Sequence, residues 1–198
     1  MTASENEQGL EIVPLTPERW ADLERLFGPH GADSGCWCMF FRLPYKQFDQ
    51  QRGEANRKAF QQIVESGTEP GLIAYVGGTP AGWVAVAPRA EYGRVCRSRI
   101  LKPVDDREGV WSVVCFFIDK AYRKQGLSTR LLKAAVQFAA GKGAQVVEGY
   151  PVDLTGRVSD DASAYHGTLS SFVDAGFVEV ARRSPARPVM RYWISEKE

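Results

Sequence analysis

The chain has 198 residues, of which 44% are hydrophobic and 25% charged, enough for a sizeable core. Lys and Arg number 25 against 24 Asp and Glu, a net charge of +1 that argues against a global polyanion binder and so against a nucleic-acid partner. No apolar run approaches the roughly 20 residues needed to cross a bilayer, so no membrane partner is expected.

Residues 1–9 are polar and lack the basic-then-apolar order of a secretory signal. They read as a disordered tail ahead of a single domain over residues 10–198. Residues 10–15 alternate around Glu11 and predict a strand. Thr16 and Pro17 then suit an N-cap and a first helical position, with the helix running to Phe27 and stopped by Gly28-Pro29. Residues 31–44 are irregular and aromatic, and hold Cys36-Trp37-Cys38. The four cysteines lack the density of a disulfide scaffold, which points to a reduced, cytoplasmic setting. No second Cys or His pair sits at zinc-site spacing, so no metal is expected.

A second helix is predicted from Phe48 to Ser66, with Ala55, Ala59, Phe60, Ile63 and Val64 along one side. Residues 72–76 and 83–87 form a strand pair around Gly77-Gly78-Thr79-Pro80. Residues 89–109 are turn-rich and basic. Residues 110–118 are apolar on both faces, as a central strand covered on both sides requires. A helix follows over residues 126–141, since Leu127, Leu131, Ala135 and Ala139 recur every four residues beside Leu132 and Val136. Residues 145–150 predict another buried strand and residues 151–162 a polar loop. A short helix over residues 165–175 ends at Gly176, and residues 177–181 and 189–194 form a final hairpin. The order describes an α+β domain with a central mixed sheet.

Arg123-Lys124-Gln125-Gly126-Leu127-Ser128 stands between the apolar strand and the amphipathic helix. A pyrophosphate needs several main-chain N–H groups aimed at one point; a helix N-terminus supplies them together with a favourable dipole. Gly126 allows close approach of the backbone, while Arg123 and Lys124 add positive charge. The spacing fits neither a nucleotide P-loop nor the three-glycine dinucleotide fingerprint.

This stretch resembles motif A of the GNAT superfamily of acetyltransferases, Gln/Arg-x-x-Gly-x-Gly/Ala between the fourth strand and the third helix. Arg123, Gly126 and Ser128 occupy the signature positions, Ser128 being a small departure from glycine or alanine. Phe172-Val173-Asp174-Ala175-Gly176-Phe177 is similar to the family's Tyr-x-x-x-Gly-Phe segment. The resemblance implies a GNAT-like α/β/α sandwich: a mixed, mostly antiparallel sheet of six to seven strands, splayed between the fourth and fifth, with about four helices. It implies acetyl-CoA as co-substrate and direct transfer of the acetyl group to an amine, without an acyl-enzyme. The acceptor is expected to be a small molecule, with a peptide or protein amine as the nearest variant and a non-catalytic acetyl-CoA-binding module as the alternative. Homodimers are common in the family. The resemblance further sets the main chain of Phe116, Phe117 and Ile118 along the pantetheine. It sets Arg123, Lys124, Gln125, Gly126, Leu127, Ser128 and Thr129 around the pyrophosphate.

Direct transfer requires a base, an oxyanion partner and a positioned amine. Glu148 is the carboxylate of the apolar fifth strand, a position where some family members carry a base. Partial burial at the mouth of the splay would raise its pKa towards neutrality. The other reading is a strand-end glutamate paired with a neighbouring arginine or facing solvent. The family's acidic tyrosine is Phe172 here, which donates no proton, so Tyr165, or Tyr150, is the candidate general acid. Cys115 lies in an apolar run without an adjacent His or Lys and reads as packing. His166 reads as a solvent-exposed residue at a helix start. Residues 36–42 either wall the acceptor pocket, with Arg42 available for an anionic group, or form an inner packing layer. The arginines of residues 89–102 and 182–191 either neutralise the 3′-phosphate or an anionic acceptor, or are solvated surface charge.

Overall fold

The computed structural model describes residues 9–155 and 165–194. The expected tail, except Gly9, and the later part of the polar loop at 151–162 lie outside the described residues. Seven strands form one sheet in the order β1-β2-β3-β4-β5-β7-β6. They are β1 (Leu10–Pro14), β2 (Gly71–Val76), β3 (Thr79–Pro88), β4 (Val110–Ile118), β5 (Val146–Gly149), β6 (Val178–Arg182) and β7 (Pro188–Trp193). All neighbours are antiparallel except β4 and β5. A parallel pair needs a crossover, and the helix α5 (Leu127–Gly141) supplies it.

Alternation along β3 divides the core in two. Trp83, Ala85 and Ala87 point to one face, where α1 (Trp20–Phe27) and α3 (Glu54–Glu65) bury Leu23, Phe27 and Phe60. Val84 and Val86 point to the other, against Leu131, Leu132 and Ala135 of α5 and Phe172 of α6 (Leu169–Asp174). Apolar side chains on both faces explain why β3 and β4 are central. No helix among the described residues is long and apolar enough to cross a membrane.

Four local expectations are corrected. The helix expected over residues 48–66 is two, α2 (Tyr45–Gln50) and α3. Gly53 between them has φ +83°, a left-handed turn that glycine accepts without a Cβ clash, and its N–H bonds Gly35 O at 3.0 Å. Apolar periodicity runs across this break and so conceals it. Thr16 precedes a 3-10 turn, Pro17–Arg19, and its hydroxyl takes Arg19 Nη1 at 3.1 Å rather than a helix N–H. The helix expected from residue 165 begins at Leu169, because Thr168 caps it by accepting Ser171 N. The turn-rich stretch contains α4 (Gly93–Arg97), which brings the described α-helices to six.

Candidate active site

The β4–β5 ladder ends at Val113–Gly149, while β4 continues to Ile118. Residues 114–118 therefore have no strand partner on that edge. On the opposite edge a bulge leaves Val114 unpaired, since Ala85 faces Cys115 and Val86 faces Val113. The two strands part because β5 is only four residues long and Gly149 lies against Phe172. A Cβ on Gly149 would stand 2.0 Å from the Phe172 ring. Phe172 is fully buried among Phe116 and Phe177, at ring separations of 6.1 and 5.0 Å. The position that carries an acid in the resembled pattern is thus a packing residue here.

At the end of β4 the chain turns through Asp119, whose carboxylate accepts Ala121 N at 2.9 Å. Lys124 has φ +60° and Gly126 φ +75°, two left-handed residues that swing the backbone into the first turn of α5. N–H groups of a first helical turn have no acceptor within the helix and point outward with the positive end of the dipole. Lys124, Gln125 and Gly126 are exposed there, and a Cβ on Gly126 would meet nothing within 4 Å. Main-chain donors of this kind are what an anionic group needs at a helix start. The side chains contribute unequally. Arg123 Nε is turned back onto Ile118 O at 3.0 Å and Gln125 Nε2 onto Ala121 O at 2.9 Å. Leu127 is buried in the core, so it offers the cradle only its main chain. Ser128 Oγ meets Ser171 Oγ at 3.2 Å, tying α5 to α6.

On the α1–α3 face, where the strands part, lies a cavity of about 230 Å³. Phe40, Phe41 and Phe48 form its apolar wall, Cys36, Cys38 and Cys115 its small side chains, and Tyr165 and His166 its far side; Asp33, Ser34 and Arg52 bring polar groups to it. The segment at 31–38 is strained: Ala32, Ser34, Trp37 and Cys38 all have positive φ, each costing on the order of 1–3 kcal/mol. The strain is held by packing. Trp37 stacks on Trp20 at 6.1 Å, and Cys38 Sγ accepts Trp83 Nε1 at 3.1 Å. The aromatic segment is divided, with Trp37 packing inward and Phe40 lining the cavity. Arg42 does not line the cavity; it is paired with Glu91 and stacked on Tyr92 at 4.9 Å.

Burial and the neighbouring Cys38 thiol push Cys36 up to about 12. The hydrogen bond to Cys38, then burial, raise Cys115 well above an ordinary thiol. Both shifts favour the thiol over the more nucleophilic thiolate. Tyr165 stacks on Phe117 at 6.3 Å with the rings 17° apart. His166, expected in solvent, is instead largely covered, with its ring edge on Phe41 at 5.6 Å. Burial first, then Arg187, push its pKa down to about 4. The local signal for this placement is a histidine one residue before a glycine and two before the Thr168 cap.

Glu148 departs from the partly buried base expected at the mouth of the splay. It is fully buried, and both carboxylate oxygens are held: Tyr150 Oη donates to Oε1 at 2.7 Å and Arg191 Nε to Oε2 at 2.8 Å. Arg89 Nη1 lies 3.7 Å from Oε2. Arg191 reaches on to both oxygens of Asp105, at 2.6 and 2.9 Å. Glu148 does not line the cavity. Its contacts match the paired-arginine alternative: Arg191 stands directly opposite Glu148 on the neighbouring β7, and Arg89 and Asp105 of the 89–109 segment complete the group. Tyr150 is likewise unsuited as an acid, as burial and then the Glu148 charge raise its pKa well above the ordinary phenol. The arginines expected at the surface are partly structural. Arg191 is buried, Arg182 bonds Glu179 and Asp153, and Arg183 donates to the carbonyls of Lys102 and Pro103. Among the described residues no group of three His, Cys, Asp or Glu side chains could hold a metal ion.

Residues 37–153 match the model of the Acetyltransferase (GNAT) family. No curated protein matches the chain. Among solved structures, the chain is similar to PaiA N-acetyltransferase from Thermoplasma acidophilum in complex with coenzyme A, at 14% identity and TM-score 0.54 over 94% of this chain and 100% of that one. It is also similar to AAC(6′)-Ib in complex with paromomycin and acetyl-CoA, at 15% identity and TM-score 0.55 over 94% of each chain. A third similar structure is the NatC complex bound to Gag peptide and CoA, at 12% identity and TM-score 0.54 over 95% of this chain and 100% of that one. These identities speak to the fold.

Proposed function

The chain belongs to the GNAT family of acetyltransferases, and from that premise we propose that it moves the acetyl group of acetyl-CoA to the primary amine of a small molecule. Acetyl-CoA is consumed as a substrate and supplies an activated carbonyl. The main chain at 124–129 would hold its pyrophosphate, aided by the Lys124 charge. The free edge of β4 at Phe116, Phe117 and Ile118 would hold its pantetheine arm. The amine enters the cavity beside that edge, where the acetyl carbon would lie against Val114 and Cys115.

The observation that carries the small-molecule reading is the cavity. Its 230 Å³ equals about eight water volumes at roughly 30 Å³ each, below the range of drug-sized pockets. Three phenylalanines wall it, which favours an acceptor with a compact apolar body behind its amine. Holding that amine against the thioester supplies the orientation part of the rate. Tyr165 lines the cavity, and its phenol would give a proton to the departing thiolate.

Thiol release from acetyl-CoA by the purified chain, with a panel from benzylamine and 2-phenylethylamine to spermidine and peptides with free N-termini, tests the reading. Turnover is expected with the compact aryl-alkyl amines. Turnover confined to peptides would overturn the small-molecule acceptor.

A further inference from the structure

Phe40 is the centre of the cavity's apolar wall. Its ring stands edge-to-face with Phe41 at 4.9 Å and with Phe48 at 5.3 Å, and all three rings line the cavity. Phe40 lies between α1 and α2, so no helix or strand fixes it and its place depends on neighbouring groups. Arg94 of α4 supplies them. Its main-chain N–H donates to Phe41 O at 3.0 Å. Its guanidinium stands over the Phe40 ring at 4.0 Å from the centroid, with the Tyr45 and Phe48 centroids at 5.3 and 5.7 Å. One residue therefore meets all three wall phenylalanines, yet does not itself line the cavity.

The platform that carries Arg94 is fixed. Tyr92 and Val95, on either side of it, are fully buried, and Glu91 pairs with Arg42. The guanidinium itself is held by rings. Its Nη2 is buried without a hydrogen-bond partner among the described residues. Burial, the largest influence, lowers its pKa, and no carboxylate is among the groups that act on it. Arginine keeps its charge at neutral pH regardless. A partly desolvated cation without a counter-charge is stabilised by the negative faces of the rings beside it. The same attraction holds the rings where the cation stands.

We propose that Arg94 is the positioning residue of the acceptor wall: stacked on Phe40 and bonded to Phe41, it fixes the ring arrangement that selects amines with a compact apolar body. The proposal rests on the acceptor-cavity reading above and deepens it. Arg94 touches no substrate and acts through Phe40. An uncharged side chain of similar length fills the same space but does not tie the rings to one planar cation. Lysine restores the charge without the planar stack.

Two measurements on the full chain test this: binding of 4-fluorobenzylamine, followed by its fluorine NMR signal, and turnover of 2-phenylethylamine with acetyl-CoA. Arg94→Met is expected to raise the Kd of the first and the KM of the second about tenfold, the scale of one desolvated cation–π contact. Because the loss is one of acceptor binding, kcat and the KM for acetyl-CoA are expected within about threefold of the parent. Arg94→Lys is expected to recover part of the loss. In a Phe40→Leu background, Arg94→Met is expected to change amine affinity less than about twofold, since the two substitutions remove one shared contact. A general loosening of the fold adds to the Phe40 loss instead. If Arg94→Met does not fold, Arg94→Lys carries the same cycle. Three results each refute the assignment: amine affinity within about twofold of the parent, a loss that stays additive in the Phe40→Leu background, or an acetyl-CoA KM that moves as far as the amine KM. Amine binding with the expected pattern but no turnover by the parent sinks acetyl transfer and leaves Arg94 in its role. A parent that binds no aryl-alkyl amine overturns the role of Arg94.

Discussion

Replacing Glu148 by glutamine separates a structural strut from a catalytic base. The substitution keeps shape and leaves Oε1 able to accept from Tyr150, but it turns an NH₂ donor toward Arg191 Nε, which now donates to Oε2 at 2.8 Å. Arg191 and Glu148 are both buried, so the guanidinium loses its inward counter-charge and keeps only Asp105 at the rim. Removing one partner of a buried ion pair costs about 3–5 kcal/mol. In a chain of this size each kcal/mol lowers Tm by about 2–4 °C, so Glu148→Gln should melt about 6–20 °C below the parent. Differential scanning calorimetry at neutral pH measures it. Below the melting range, kcat should fall far less than a lost base requires. A Tm within about 2 °C of the parent, with kcat reduced 10²-fold or more, would refute the strut and restore Glu148 to the chemistry.

Gly126→Val places a β-branched residue at φ +75°, a strain of roughly 1–2 kcal/mol, and turns a side chain into the cradle; calorimetric titration should show coenzyme A binding weakened about tenfold or more. Unchanged affinity would remove residues 124–129 from the binding surface. Gly149→Ala forces a methyl to 2.0 Å from Phe172, an overpacking cost of about 1–3 kcal/mol, seen as a lower urea midpoint; a smaller ring at 172 should recover part of it. Asp105 is held down to about 2, first by its hydrogen bonds to Arg191. Its folded pKa lies below the unfolded value, so its contribution is complete above pH ~4 and fades as pH falls from 4 towards 2. Asp105→Asn should flatten that part of an acid-unfolding curve, and an unaltered curve would contradict the pairing.

Much of the scaffold is legible from local patterns. The continuous apolar runs of β3 and β4 reflect two buried faces, and the four-residue repeat of α5 reflects one. The switch from strand to helix at Gly126 carries the cradle with it, because its donors are main-chain groups of one continuous segment. The break at Gly53 was hidden, since apolar spacing continues across it and only contact with Gly35 shows where the chain turns.

The sequence by itself determined the strand–glycine–helix cradle, the two-sided central strands and the absence of a phenol at 172. Those features depend on residues close along the chain. The tertiary structure alone decided which ionisable groups are buried in pairs and which line the cavity. Glu148 and Arg191 stand 43 positions apart and meet through the pairing of β5 with β7. His166 lines the cavity beside the Phe41 ring, a contact spanning 125 residues (166 − 41). Burial and charge act through space, so a carboxylate expected at the mouth of a splay is enclosed in a buried ion pair, and a histidine expected in solvent lines a cavity.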